Sequence, residues 1–393
     1  MEPIITSILD NDQYKLSMGQ AAMYQGYDRI DVGYKLIDRD RTNYPQGFAE
    51  LVQEQVRHMA NLRLTPAERA FLERKCGHYL RPSFIDWFSH YRYNPDEVTV
   101  SQEDGKLSIT VEGPWYRTIY WEVPLLAIVS ELYFKVMGLA PELGYEEKAY
   151  QKAVRLRDAG ARYADFGTRR RHSKEVHDTV VGENVRGGGE AFIGTSNIWL
   201  AMKYDLTPIG THAHEWFMAH AGMFGYRMAT QIALRTWANE YQGSLGTALT
   251  DTFTTDVFLR EFGPYYAKLF DGMRQDSGDS LVFADKAVAH YKKYGINPLH
   301  KSIVFSDSLT VDRVIEILEY CLGKIQCFFG IGTHLTNDVG HRALNIVMKL
   351  FYIIRPEEPN RKIHTIKLAD DRGKESDDPE EVAACRHELA IAA

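Results

Sequence analysis

Two rhythms of apolar and polar positions divide the chain. In the first third, Asp31-Val32-Gly33-Tyr34-Lys35-Leu36 alternates and predicts a strand, and residues 47–91 carry helical patterns broken at Pro66 and Pro82. Three short alternating runs follow at 97–100, 107–112 and 118–121, punctuated by Gly105 and Gly113-Pro114. Strands in succession without intervening helices predict an antiparallel α+β domain ending near residue 125. Ahead of them, Asp10 to Met18 has the form of a capped helix start, with Leu16, Ala21, Met23 and Tyr24 near one face; on pattern alone it is an ordinary docking helix.

Beyond Pro124 the rhythm changes. Residues 125–137 form an apolar helical pattern and 146–157 a charged amphipathic one; from there short β-type runs alternate with helices. Seven of these runs end in polar clusters: Phe166-Gly167-Thr168-Arg169-Arg170-Arg171, Gly194-Thr195-Ser196-Asn197, Gly210-Thr211-His212-Ala213-His214, Thr250-Asp251-Thr252, Arg274-Gln275-Asp276-Ser277-Gly278-Asp279, Ser306-Asp307-Ser308 and Gly330-Ile331-Gly332-Thr333. A parallel barrel gathers the C-terminal ends of its strands on one rim, where such clusters would converge. Ser302-Ile303-Val304-Phe305 and Gln326-Cys327-Phe328-Phe329 are short apolar runs of the kind buried on both faces. Helix starts stand at Thr255-Asp256, Ser277-Gly278-Asp279 and between Ser308 and Asp312. No eighth βα unit is evident, and uneven spacing argues against a repeat array. The expected fold is therefore α/β: an irregular, incomplete TIM-like barrel over 125–345, plus an N-terminal α+β sandwich over 1–124 completed by a returning segment, 346–393.

Composition narrows the partners. With 393 residues, 45% hydrophobic and 12% aromatic, the chain has material for two cores. Its net charge of -7 is spread out, without the basic field that nucleic acid needs, so a small molecule is the expected partner. Cys76, Cys321, Cys327 and Cys385 show no CxxC spacing, which points to reduced thiols rather than a zinc or disulfide framework. Met1-Glu2-Pro3 opens no signal peptide pattern and no run of about 18 apolar residues occurs, so a soluble, cytoplasmic protein with no membrane partner is expected. The acidic stretch from Asp370-Asp371 to Glu380-Glu381, mixed with Arg372 and Lys374, has the composition of a solvated surface loop.

The clusters themselves suggest chemistry. Gly330-Ile331-Gly332-Thr333 after an apolar strand offers backbone N–H groups and close approach for a phosphate, although glycine after a strand is most often just a turn. Of Arg169, Arg170 and Arg171, alternation sends one or two into the rim, where guanidinium recognises carboxylate or phosphate; Phe166 beside Gly167 suits stacking on a planar anionic ring. Asp251, Asp276, Asp279 and Asp307 supply carboxylates for ribose hydroxyls, for Mg²⁺, or for helix caps, with Arg274 beside Asp276. His212 and His214, two residues apart at a turn, could be metal ligands of a barrel metallohydrolase, a nucleophile with its neighbour, or neither. Later rim clusters add Asp251 and Asp307 but no convincing histidine, since His290 lies in a helical pattern, His300 precedes its strand and His334 and His341 come too late, which disfavours the metal site; the number of charged rim residues disfavours a barrel that only binds.

These residues, together with Asp12-Gln13-Tyr14-Lys15-Leu16 near the start and Lys367-Leu368-Ala369-Asp370 near the end, resemble the nicotinate phosphoribosyltransferases of the bacterial type. The strongest likeness lies in Phe166 to Ser173, Gly194 to Asn197, Ala213-His214-Glu215-Trp216, Arg274 to Asp279 and Phe329 to Thr333. The resemblance implies a type II phosphoribosyltransferase fold. It also implies a reaction: nicotinate and 5-phosphoribosyl 1-diphosphate yield nicotinate mononucleotide and diphosphate, coupled to ATP hydrolysis, with Mg²⁺, in NAD salvage. By position it implies that Phe166 and Tyr14 stack on the pyridine, the tyrosine coming from a neighbouring subunit of a homodimer. Arg274 would approach the pyridine carboxylate, with Arg169 or Arg170 assisting at the base or the diphosphate. Ser196, next to Asn197 in the substrate region, stands where nicotinamide-using relatives carry an aspartate, which would repel a carboxylate. Asp251, Asp276 and Asp307 would serve the ribose and the metal, with Asp276 or Asp307 as the candidates for Mg²⁺, and Gly332 with Thr333 would cradle the 5′-phosphate. His214 would be the histidine that ATP phosphorylates. His212 has no role in the resemblance, and nothing after Asp370 is given one. Nicotinamide phosphoribosyltransferase is the alternative within the class, disfavoured by Ser196 and the three arginines; quinolinate phosphoribosyltransferase would need no phosphoacceptor.

Overall fold

A computed structural model describes residues 2–371, 374–376 and 378–391. Met1 and Arg372, which entered the expectations for the N-terminus and the acidic stretch, lie outside the described residues. Alternation in the first third becomes an antiparallel sheet: β1 (Asp31–Asp38), β2 (Val98–Glu103) and β3 (Lys106–Pro114). Pro66 and Pro82 do not merely interrupt helices but begin them, at the position where the missing N–H costs nothing, in Pro66–Cys76 and Pro82–His90. Thr65 and Glu68 close a capping box on the first. One expectation fails here. Residues 118–121 are not a third hairpin strand; Trp115–Thr118 is a helical turn, with Ile119 N–H donating to Trp115 O at 3.0 Å, and it runs on into the helix Glu122–Val136. Thr118, Ile119, Tyr120 and Trp121 are all fully buried, so the run is apolar on every side rather than on alternate sides.

Six strands of the second rhythm form one parallel sheet: β4 (Tyr163–Asp165), β5 (Phe192–Thr195), β6 (Thr247–Leu249), β7 (Gly272–Gln275), β8 (Ser302–Phe305) and β9 (Gln326–Ile331), in the spatial order β5-β4-β9-β8-β7-β6. The run ending at Ile209 was expected as a strand, and it is not one. Residues 208–212 cross instead between the two edge strands: Ile209 N–H donates to Thr195 O at 2.9 Å and Thr211 Oγ1 to Thr247 O at 3.0 Å, with a single bridge from Pro208 to Thr195. The ladder is thus an open six-stranded sheet whose two edges are tied by a loop, rather than a closed ring. Thr254, Asp279 and Thr310 cap the helices after β6, β7 and β8.

The returning segment enters the first sheet. β10 (Ile346–Ile354) pairs with β1 and β11 (Ile363–His364) with β10, giving the order β11-β10-β1-β3-β2. Past β11 the chain leaves that sheet and crosses the rim of the other, where Leu368 N–H donates to Thr252 O at 2.8 Å. The acidic stretch is therefore partly structural: Asp370 accepts from Thr255 N–H and Oγ1, and Pro379–Glu388 is a helix. No helix among the described residues is long and apolar enough to cross a membrane.

Candidate active site

The C-terminal ends of the parallel strands open onto a cleft of about 790 Å³ whose other wall comes from β10 and the segments around it. Phe166, Arg169, Arg170, His214, Arg274, Asp276, Asp307, Gly332 and Thr333 all line it.

His214 begins the helix His214–Phe224. Its Nδ1 lies 3.0 Å from Thr252 Oγ1, while its Nε2 lies 2.7 Å from Lys367 Nζ and 3.0 Å from Asp276 Oδ2. Nε2 can accept from the ammonium or, protonated, donate to the carboxylate, but not both. Burial, then the charge of Lys367, lower the imidazole pKa, against Asp251 and Asp276. A neutral ring follows, with Nδ1–H donating to Thr252 and the Nε2 lone pair turned to Lys367. Asp276 stays ionised: burial opposes this, but the charges of Arg274 and then Lys367 hold it well below the usual carboxylate range. Asp276 also accepts from Ser306 Oγ at 2.8 Å.

Asp251 is fully buried behind His214, accepts from Ser277 Oγ at 2.5 Å, and keeps Oδ1 without a hydrogen-bond partner. Ligand atoms of His214, Asp251 and Asp276 lie within 4.8 Å of one another. Two carboxylates with an orphaned buried oxygen suit a hard divalent cation such as Mg²⁺. Asp307 is committed elsewhere, 2.6 Å from Lys374 Nζ.

The three arginines part company. Arg171 is buried and forked onto Asp10, at 2.8 and 3.0 Å, away from the cleft. Arg170 donates to Ile346 O at 2.9 Å and has its pKa pushed down to about 10 by burial and by Arg169 and Arg39, a crowding of cations that an anion would relieve. Arg274 is held within the rim by Ser306 Oγ, His212 O and Asp276. Phe166 lies over Gly330, where a Cβ would run into its ring. Gly330→Ala should therefore displace Phe166 and cost about 1–3 kcal/mol, readable by thermal unfolding.

Other expected residues sit behind the cleft. Asn197 is fully buried, its amide donating to Asp10 and its oxygen capping the helix Ile198–Lys203. Ser196 is buried and donates to Asp12 Oδ1 at 2.8 Å. The wall therefore keeps a carboxyl group despite the serine, one whose pKa burial raises against Arg169 and its hydrogen bonds. The capped helix start expected within Asp10 to Met18 has Asp12 at the N-cap position of Gln13–Tyr24, but its side chain makes no capping bond. Tyr14 is buried by its own chain. His212 is not a partner of His214: its Nε2 accepts from Leu249 N–H at 3.2 Å, its ring packs on Phe217 and Trp237, and burial, with Arg274 and His214, brings its pKa to about 3. It fastens the crossing loop to β6, and the His-X-His metal pair is not formed.

Lys367 and Lys374 were given no role by the sequence reading. Lys367 stands between Ile366 and Leu368, a charge inside an apolar run, and that was the available signal. Lys374 lies beyond Asp370 and offered none.

Fold and cleft define an α/β enzyme class whose cation-rich site suits anionic substrates. A model described as the nicotinate phosphoribosyltransferase (NAPRTase) family matches residues 161–393, and one for the NAPRTase N-terminal domain matches residues 9–130. The chain belongs to the nicotinate phosphoribosyltransferase family. It is 48% identical to the nicotinate phosphoribosyltransferase of Desulforapulum autotrophicum over 97% of this chain and 98% of that one, and 43% identical to that of Chromohalobacter salexigens over 99% of each. The crystal structure of nicotinate phosphoribosyltransferase from Porphyromonas gingivalis superposes with a TM-score of 0.96 at 44% identity, covering 99% of this chain and 100% of that one.

Proposed function

We propose that the chain converts nicotinate and 5-phosphoribosyl 1-diphosphate to nicotinate mononucleotide and diphosphate, with ATP hydrolysed through a phosphohistidine at His214. The observation that carries the ATP-coupled part is His214 Nε2 lying 2.7 Å from the Lys367 ammonium in a cleft rich in cations, where burial and that charge favour the neutral ring. Nε2 takes the γ-phosphoryl group as the bond to ADP breaks. Lys367 gives up its hydrogen bond to Nε2 and becomes the counter-charge of the phosphoryl oxygens. In the transfer step the pyridine nitrogen bonds to ribose C1 as the bond to diphosphate breaks, with Phe166 reading the ring and Arg274, Arg169 and Arg170 the anionic groups. Asp251 and Asp276 would hold Mg²⁺, which supplies charge neutralisation to the diphosphate. Gly332 and Thr333 receive the 5′-phosphate. A place in NAD salvage, a homodimer and a cytoplasmic location go with this reading.

Asp12 behind Ser196 favours one second reading, an amide substrate, because a carboxylate there could accept from an NH₂ group. The test is turnover of nicotinate, nicotinamide and quinolinate with and without ATP. ATP-stimulated use of nicotinate at the highest kcat/KM is expected; a higher kcat/KM for nicotinamide would overturn the reading.

A further inference from the structure

Glu122 and Glu215, which line the cleft, and Lys15 behind them form a group of charges that the mechanism above does not use. Lys15 on the helix Gln13–Tyr24 is fully buried, and its Nζ bridges two carboxylates, Glu122 at 2.6 Å and Glu215 in a shorter contact. Glu215 is further fixed by Tyr34 Oη at 2.5 Å and Trp115 Nε1 at 2.7 Å, so three donors converge on it. Glu122 has fewer partners. Its Oε2 is taken by Lys15, and its Oε1 has only a long contact, 3.4 Å, from Arg169 Nη1.

Arg169 is the other half of the observation. Its side chain lines the cleft and is 40% exposed, and the contact to Glu122 is its one side-chain hydrogen bond among the described residues. Most of a guanidinium's five donors are thus uncommitted, beside a carboxylate that could take two of them in a fork. What keeps Glu122 from doing so is the ammonium on its other side. A carboxylate shared between two cations stays with the nearer one, and here that is Lys15.

We propose that Lys15 is a positioning residue for substrate specificity: it claims Glu122, so that Arg169 remains free to take an anionic group of the substrate. This rests on the proposed function for the identity of that group, which is either the carboxylate of nicotinate or the diphosphate of its co-substrate. Without Lys15, Glu122 faces Glu215 with no cation between them and is driven onto Arg169, where it competes with the substrate as an internal anion.

The experiment measures binding of nicotinate and, separately, of inorganic diphosphate by calorimetry, with steady-state kinetics alongside. Lys15→Met should weaken one of the two probes by about tenfold or more, the scale of one charge-assisted hydrogen bond, and raise the matching KM more than it lowers kcat. The probe that weakens identifies the anion. Lys15→Met/Glu122→Gln should recover most of the loss, because the competing carboxylate is gone; a merely structural lysine would show no such rescue. Should Lys15→Met fail to fold, Glu122→Gln alone decides: with Lys15 still paired to Glu215, binding should be unchanged or tighter. Unchanged binding in Lys15→Met, no rescue in the double variant, or weaker binding in Glu122→Gln would each overturn the proposal. A wild-type protein that binds nicotinate without turning it over would sink the transferase reading and leave this one standing.

Discussion

His214→Ala is expected to remove ATP stimulation while a slower, ATP-independent transfer of the phosphoribosyl group persists. The substitution takes away the imidazole proposed to accept phosphate, so ATP hydrolysis should fall on the order of 10³-fold or more, the scale on which loss of a nucleophile acts. The groups proposed to read the pyridine and phosphates, Phe166, Arg169 and Arg274, line the cleft independently of that ring. Alanine is also a good residue at the first position of the helix His214–Phe224, so the protein should fold. Lys367 would then lose its 2.7 Å contact to Nε2 and keep Asp251 at 3.5 Å, leaving the cleft cationic. Steady-state rates with and without ATP, and labelling from γ-phosphate-labelled ATP, check this. Unchanged ATP coupling in His214→Ala would sink the phosphohistidine reading.

Much of this site could be read in the sequence because its residues follow strands at regular places. Phe166, Asp251, Asp276, Asp307 and Gly332 stand just beyond short apolar runs, and a parallel sheet brings such positions to one rim whatever the connections between them. What could not be read came from pairings between distant segments. Local spacing makes His212 and His214 look alike; the difference is that His212 meets Leu249, 37 residues on, and is buried by doing so. Ser196 appeared to clear its wall of negative charge, yet Asp12 restores a carboxyl group from 184 residues away. Lys367 reaches His214 only because β10 and β11 carry the chain back through the first sheet and out across the rim. Periodicity carries no information about such returns, and it also mistook residues 118–121, where burial on all sides imitates alternation.

Arg171→Met is expected to destabilise the fold by about 3–5 kcal/mol at neutral pH, the penalty for stranding a buried charge. Asp10 is fully buried with Arg171 forked onto it, Asn197 donating at 2.8 Å and the Lys174 ammonium 3.9 Å away as a more distant counter-charge. Burial would raise the Asp10 pKa, but the charge and hydrogen bonds of Arg171, with Lys174 and Asn197, outweigh it and bring it down from 3.8 to about 2. An acid depressed in the folded state contributes stability that is present above its unfolded pKa and lost as pH falls through the folded one. For the wild type that contribution is about 2 kcal/mol, disappearing between roughly pH 4 and pH 2. In the variant the guanidinium is gone and burial dominates, so Asp10 takes up a proton more readily when folded than when unfolded and the sign reverses. The stability deficit of Arg171→Met should therefore shrink as the pH is lowered toward 4, and Asp10→Asn in the same background should recover part of it at pH 7. Denaturant unfolding of the wild type and both variants at pH 4 and pH 7 measures the difference; a deficit independent of pH would show that Arg171 stabilises by packing alone.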